Sequence, residues 1–159
     1  MAAWYYANAI MEASRETFGN WRIGRHLGGG TWTEVVLAES ATAAPGASPP
    51  VALKRLTRNG KRTADLVELF ASECALLQGT PPHPHLVKFL DTGKVGSMPW
   101  LTTEFIPAPT LATRLAGDEP LSPVELGAIV VDIGAALAHL HAHGVVHCDV
   151  SPTNIIVGQ

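Results

Sequence analysis

Residues 147–154 read "HCDVSPTN", followed by the apolar tail "IIVGQ" to residue 159. Alone, this stretch is a turn closed by an Asx cap, since Asp, Asn, Ser and Pro are the residues that satisfy backbone groups in short loops. What precedes it decides how it is read. The run "SPVELGAIVVDIGAALAHLHAHG" (122–144) is the clearest element of the chain. Ser122 at the N-cap, Pro123 at N1 and Glu125 at N3 form a capping box, and Gly144 ends the helix. Leu126, Ile129, Val130, Ile133, Leu137 and Leu140 recur at helical spacing on one wide apolar stripe.

Further upstream the pattern changes to strands. "WRIGRHLGGG" (21–30) and "TEVVLAES" (33–40) are β-rich runs separated by glycines, the signature of a hairpin with a Gly-rich turn. The Pro-rich "ATAAPGASPP" (41–50) is a loop, and "VALKRLT" (51–57) a third strand. "TADLVELFASECALLQG" (63–79) predicts a helix with Thr63 as N-cap, Gly79 as C′ and an apolar face of Leu66, Phe70, Cys74 and Leu77. Glu73 lies at the edge of that face. After the breaker "GTPPHPH" come two more strands, "LVKFLDT" (86–92) and "PWLTTEFI" (99–106), then a short helical turn, "LATRLAG" (111–117). A helix over 3–17, with Trp4, Tyr5, Ile10 and Met11 on its sticky side, is expected to pack on its own domain.

Composition narrows the function classes. A formal charge of −3 and scattered basic residues give no field for nucleic acid. Cys74 and Cys148 are far apart and lack CxxC spacing, so they read as reduced thiols rather than a disulfide or a metal site. The N-terminus has no basic n-region, and no apolar run is expected to approach the roughly 20 residues that cross a bilayer. The expectation is a cytoplasmic protein with no membrane or nucleic-acid partner. His26, His83, His85, His139, His141 and His143 read as surface or turn residues, those near Leu140 suiting a helix C-terminus.

Each chemical signal is weak alone: Gly28 and Gly30 in a G-x-G arrangement suit an ordinary hairpin, and Lys54 in "VALK" can be any strand lysine. Their order is the stronger fact. A Gly-rich hairpin, V-A-x-K on the third strand, a helix with a glutamate, two strands ending in "TEFI", a long helix and H-x-D-x-x-x-x-N follow one another over residues 21–157. This series resembles the protein kinase family, in its bacterial serine/threonine branch. The resemblance implies an α+β fold: a kinase-like N-lobe at 21–106, with a five-stranded antiparallel sheet and one helix. After it come the first helices and catalytic loop of an incomplete helical C-lobe at 107–159, and residues 1–20 are an N-terminal extension.

It also implies ATP and Mg²⁺ as cofactors and assigns roles. Leu27, Gly28 and Gly30 form a lid over the nucleotide phosphates. Val35 and Ala52 line the adenine slot from above and Ile156 from below. Lys54 contacts the α- and β-phosphates and is held by an ion pair with Glu73. Thr103 is the gatekeeper, and backbone groups of Glu104 and Ile106 meet the adenine edge. Asp149 handles the proton of the substrate hydroxyl, Asn154 binds a Mg²⁺, and His147 packs the loop in place.

The sequence also departs from the family. Thr33 stands for the third lid glycine. Cys148 replaces the arginine that pairs with a phosphorylated activation loop, so that mode of control is not expected. Ser151 replaces a lysine on the γ-phosphate, a loss on the scale of about 10²–10³ in rate for one such donor. The D-F-G segment that follows in the family is absent by Gln159, and "LDTGK" (90–94) lies too early to replace it. The expectation is therefore a truncated kinase, poorly active alone, whose helix 122–143 is covered by a protein substrate or regulatory partner. The alternative is a pseudokinase that binds nucleotide or a partner without efficient catalysis. A small-molecule phosphotransferase also uses H-x-D-x-x-x-x-N, but the Gly-rich hairpin and "VALK" fit it less well.

Overall fold

The computed structural model describes residues 16–44, 46–57 and 63–158. The expected helix at 3–17 lies outside them except for its last two positions. There Thr17 opens a strand, β1 (Thr17–Phe18), which turns through Gly19 at φ +58° and pairs with β2 (Trp21–Gly29). Two residues are too few to register as a periodic pattern.

With β3 (Thr33–Ser40), β4 (Val51–Leu56), β5 (Phe89–Val95) and β6 (Met98–Glu104), they form one antiparallel sheet of six strands in the order β1-β2-β3-β4-β6-β5. The five long strands are those expected, and β1 is the addition. β5 begins at Phe89 rather than Leu86. Leu86 instead donates its N–H to the His83 carbonyl at 3.0 Å, and Val87 is exposed.

Alternation along β3 and β4 divides the core. Ile23, Val36, Ala38, Val51 and Leu53 fill one side, with Phe18 and Trp21 against them. On the other, Leu56 and Leu101 pack with Phe70 and Cys74 of helix α1 (Ala64–Gly79). These two helix residues are four apart and so lie one above the other on a single face. Thr63 caps α1, its hydroxyl accepting the Leu66 N–H at 3.3 Å. The helix runs through Gly79 rather than stopping before it. Val67 and Leu77, not Leu66, complete its packed face. Burial pushes the Cys74 thiol pKa up, in keeping with a structural cysteine.

Two units emerge from the internal contacts. One extends to Gly79 and takes in Lys88–Phe105; the other comprises Thr80–Val87 and the residues from Ile106 onward. The second unit holds α2 (Leu111–Leu115), α3 (Pro123–Ala142) and a 3₁₀ turn (Pro152–Asn154). Ser122 and Glu125 form the full capping box on α3: the Ser122 N–H donates to Glu125 Oε2 at 2.8 Å, and the Glu125 N–H to Ser122 Oγ at 3.2 Å. Of the expected stripe, Leu140 is buried and Ile129, Ile133 and Leu137 are half-buried, whereas Leu126 and Val130 are exposed.

One expectation is corrected. By length and composition alone, the 20-residue α3 is long and apolar enough to cross a bilayer. Asp132, the two histidines and the small residues interrupt the apolar letters, but they do not bring the average below that of a spanning segment.

Candidate functional site

The antiparallel register brings the expected nucleotide residues of the first unit onto one sheet face. Gly28 pairs with Val35, Val35 with Lys54, Ala52 with Thr103 and Lys54 with Leu101. Directly opposed residues share a face, as do residues two apart, so Gly28, Val35, Ala52, Lys54 and Thr103 all project the same way. Leu56 lies on that face too and packs against α1, which brings Glu73 within reach. Lys54 Nζ donates to Glu73 Oε1 at 2.5 Å and stands 5.8 Å from the Phe70 ring centroid. Both side chains keep partial solvent contact, 28% for Lys54 and 38% for Glu73, so water can be displaced from them by another charged group.

The tip of the β2–β3 hairpin shows a residue that motif reading missed. Gly28 and Gly30 have open space where a Cβ would stand. Gly29 adopts φ +147°, and a Cβ there would lie 2.5 Å from the Thr33 carbonyl oxygen. The turn itself requires Gly29. It closes with the Gly30 N–H donating to the same Thr33 oxygen at 2.8 Å. Leu27 is half-buried beside it, and Trp32 at the tip is half-exposed. At the end of β6 the Glu104 N–H is committed to the Lys88 carbonyl at 3.0 Å, while its carboxylate accepts the Lys88 N–H at 2.8 Å.

In the second unit the loop after Gly144 is built around Asp149 and Asn154. Asn154 Nδ2 donates to the Asp149 carbonyl at 3.0 Å and to Asp149 Oδ2 at 2.8 Å. Both contacts use the amide nitrogen, which leaves the amide oxygen as the atom for a cation. That oxygen beside a carboxylate fits a Mg²⁺ ion, which takes one or two protein oxygens and keeps several waters. No group of three or more His, Cys, Asp or Glu residues forms a metal cage among the described residues.

The Asp149 N–H donates to His147 Nδ1 at 3.3 Å, so His147 orders the loop through a hydrogen bond; it is exposed rather than packed. Cys148, between them, has φ +61°, the one positive φ outside glycine among the described residues. The loop's tail is fastened by the Leu111 N–H to the Ile155 carbonyl at 2.7 Å and by the Val157 N–H to the Pro109 carbonyl at 2.9 Å. Ile156, bridged to Thr110, keeps an exposed side chain. The Ile106 carbonyl accepts the Ala108 N–H at 2.8 Å. Ser151 Oγ shares a hydrogen bond with Thr153 Oγ1 at 2.9 Å.

The sequence and fold of the chain are similar to those of known proteins. The protein kinase domain family matches residues 21–159. The serine/threonine-protein kinase PkaA of Streptomyces coelicolor is 34% identical over 142 residues, which are 86% of this chain and 26% of the relative. PrkC of Bacillus subtilis, also a serine/threonine-protein kinase, is 30% identical over 87% of this chain and 21% of its own length. Among solved structures, the Mycobacterium tuberculosis PknI kinase domain superposes with a TM-score of 0.70 at 27% identity, covering 91% of this chain and 57% of that domain. The chain thus spans about a quarter of the curated relatives and just over half of a solved kinase domain.

Proposed function

The chain belongs to the protein kinase family, and from that premise we propose that in its full-length protein it supplies the ATP-binding and proton-handling part of a serine/threonine kinase. The reaction is phosphoryl transfer from ATP to protein hydroxyls, which depends on positioning and charge neutralisation more than on covalent chemistry. The observation that carries this reading is the Lys54–Glu73 ion pair, set on the sheet face that also bears Gly28, Val35 and Ala52. A point charge there, held by a carboxylate yet partly open to solvent, suits the α- and β-phosphates.

Leu27, Gly28 and Gly30 are assigned to the phosphates, Gly29 shaping the turn that presents them. Val35 and Ala52 are assigned to the adenine ring, while Ile156, expected there by resemblance, belongs to the other unit and is bridged to Thr110. Thr103 acts as gatekeeper. Because the Glu104 N–H is bonded to Lys88, its contact with the adenine edge falls to its carbonyl, and the N–H of Ile106 serves as donor. Asp149 accepts or orients the proton of the substrate hydroxyl, its carboxylate positioned by Asn154. The Asn154 amide oxygen would hold a Mg²⁺ ion, which would supply charge neutralisation on the phosphates.

With Ser151 in place of a lysine and Cys148 in place of an arginine, the loop lacks two cations. Slower transfer is expected, with no control through a phosphorylated activation loop. ATP and the reduced state of both thiols favour a cytoplasmic setting, with a protein substrate or regulator as partner and neither nucleic acid nor membrane required. The competing reading, a non-catalytic binding module, gains no support from the relatives, which are named as kinases.

The test measures ATP binding with and without Mg²⁺ on the full-length protein, then phosphate transfer to a generic basic protein. Transfer abolished by Asp149→Asn is the expected result. Absence of nucleotide binding, with Lys54→Met changing nothing, overturns the nucleotide assignment.

A further inference from the structure

Arg55 follows Lys54 on β4 and so projects from the opposite face of the sheet. It is only 4% exposed. Its Nε donates to Glu34 Oε1 and its Nη2 to Glu16 Oε1, each at 2.9 Å. Nη1 is buried and has no hydrogen-bond partner among the described residues. A buried donor without an acceptor is costly, which makes this atom a sign of a missing group.

The same residue borders a cavity of about 300 Å³, at the small end of ligand clefts. Phe18, Leu56, Val95 and Met98 give the cavity apolar walls. Gly19, at φ +58°, lets the chain pass close to Val95, whose Cγ2 would lie 2.8 Å from a Cβ there. The Phe18 ring stands 4.8 Å from the guanidinium carbon. Size, walls and spare donor together describe the occupant: an apolar group of side-chain size that carries an acceptor oxygen. That oxygen has to be neutral. Arg55 already faces the carboxylates of Glu16 and Glu34, so an anion would bring a third negative charge to one positive one. A phenol meets every condition, having an apolar ring and a hydroxyl at its tip.

We propose that the cavity is the docking site of a tyrosine from the chain's own first fifteen residues, its ring against Val95 and Met98 and its hydroxyl accepting the Arg55 Nη1 hydrogen. The chain has two tyrosines, Tyr5 and Tyr6, and both lie in that stretch, which is outside the described residues. The stretch leads straight into Glu16, which holds Arg55, and Thr17, which lines the cavity. Tyr6 precedes Thr17 by eleven residues, and a loop of that order closes at an entropic cost that grows only slowly with length. Docking fastens the N-terminal stretch to β4, the strand that carries Lys54.

Methyl NMR of the full-length protein, labelled at methionine and assigned with Met98→Leu, tests the site. The expected result is a nuclear Overhauser contact from the Met98 methyl to a tyrosine ring, lost in the double variant Tyr5→Ala, Tyr6→Ala. Phenol alone is then titrated into both proteins. It is expected to shift the Met98 methyl saturably in the double variant and to bind the parent about tenfold more weakly, because there the cavity is filled. Phenol that binds both proteins equally, or neither, overturns the docking, as does the absence of the ring contact. Benzene is expected to bind the double variant about tenfold more weakly than phenol, for want of the hydrogen bond to Nη1. Equal affinities overturn the role of the hydroxyl. Should the double variant fail to fold, Tyr5→Phe and Tyr6→Phe decide: a ring contact whose Met98 shift responds to one of them supports the site, and a Met98 methyl that responds to neither overturns it.

Discussion

Lys54 Nζ and Glu73 Oε1 meet at 2.5 Å because strand β4 and helix α1 share one apolar interface, in which Leu56 packs with Phe70 and Cys74. Glu73 precedes Cys74 on α1, and Lys54 lies two residues before Leu56 on β4, so the packing that buries the apolar pair aligns the charged one. The pair owes its position to the core, and its partial exposure limits its worth to the fold to about 0–1 kcal/mol.

Lys54→Met is accordingly expected to leave thermal unfolding nearly unchanged while weakening ATP binding by tenfold or more. Calorimetry beside a melting curve separates the two. A melting temperature that collapses with the affinity contradicts this division of labour.

At the hairpin tip two neighbouring glycines should behave in opposite ways. Gly29→Ala drives a Cβ into the Thr33 carbonyl at a φ of +147°. About 1–3 kcal/mol of stability is expected to be lost, with ATP affinity. Gly30→Ala meets nothing within 4 Å and is expected to be tolerated in stability. Denaturant unfolding of the two variants side by side is the check, and equal losses refute the assignment.

Cys148 occupies the left-handed region with a Cβ. Cys148→Gly removes that strain and is expected to stabilise the chain by about 0.5–1 kcal/mol, whereas the β-branched Cys148→Val is expected to destabilise it by about 1–2 kcal/mol. Midpoints from urea unfolding give both values, and a stabilising valine rules the strain out.

How far the sequence carries the fold depends on how local each signal is. The capping box of Ser122 and Glu125 lies within four residues, and it was legible in full. Lys54 and Glu73 were legible only through the order of elements, since no local pattern says that a strand lysine and a helix glutamate converge. The expected strand 86–92 stops short of Gly93, yet Gly93 sits inside β5, where the Trp100 ring would lie 2.7 Å from any Cβ. The actual turn is at Gly96, φ +61°. Gly29 was invisible because its role comes from backbone conformation, which leaves no periodic trace.

Asn154 gives both of its donor contacts to Asp149. Asn154→Ala is expected to release the Asp149 carboxylate and to remove the amide oxygen proposed to hold the cation. Phosphate transfer by the full-length protein should fall by about 10²-fold or more, and binding of ATP should lose its dependence on Mg²⁺. Titrations with and without Mg²⁺ measure the second effect directly, and a variant whose ATP affinity still responds to the ion places the cation elsewhere.

The start of α3 carries a pH dependence of known sign. Hydrogen bonds from Ser122 hold the Glu125 carboxyl below its ordinary value, with Arg114 adding to the effect. A carboxyl depressed on folding contributes stability that is fully present above its unfolded pKa, near 4.5, and is lost as the pH falls through the lower folded value. Ser122→Ala removes the cap at a cost of about 1 kcal/mol at neutral pH and should also flatten the acid limb of the stability curve. Unfolding midpoints measured from pH 7 down to pH 3 for both proteins test this. If the difference between them does not shrink as Glu125 becomes protonated, the capping box is not what couples that carboxyl to the fold.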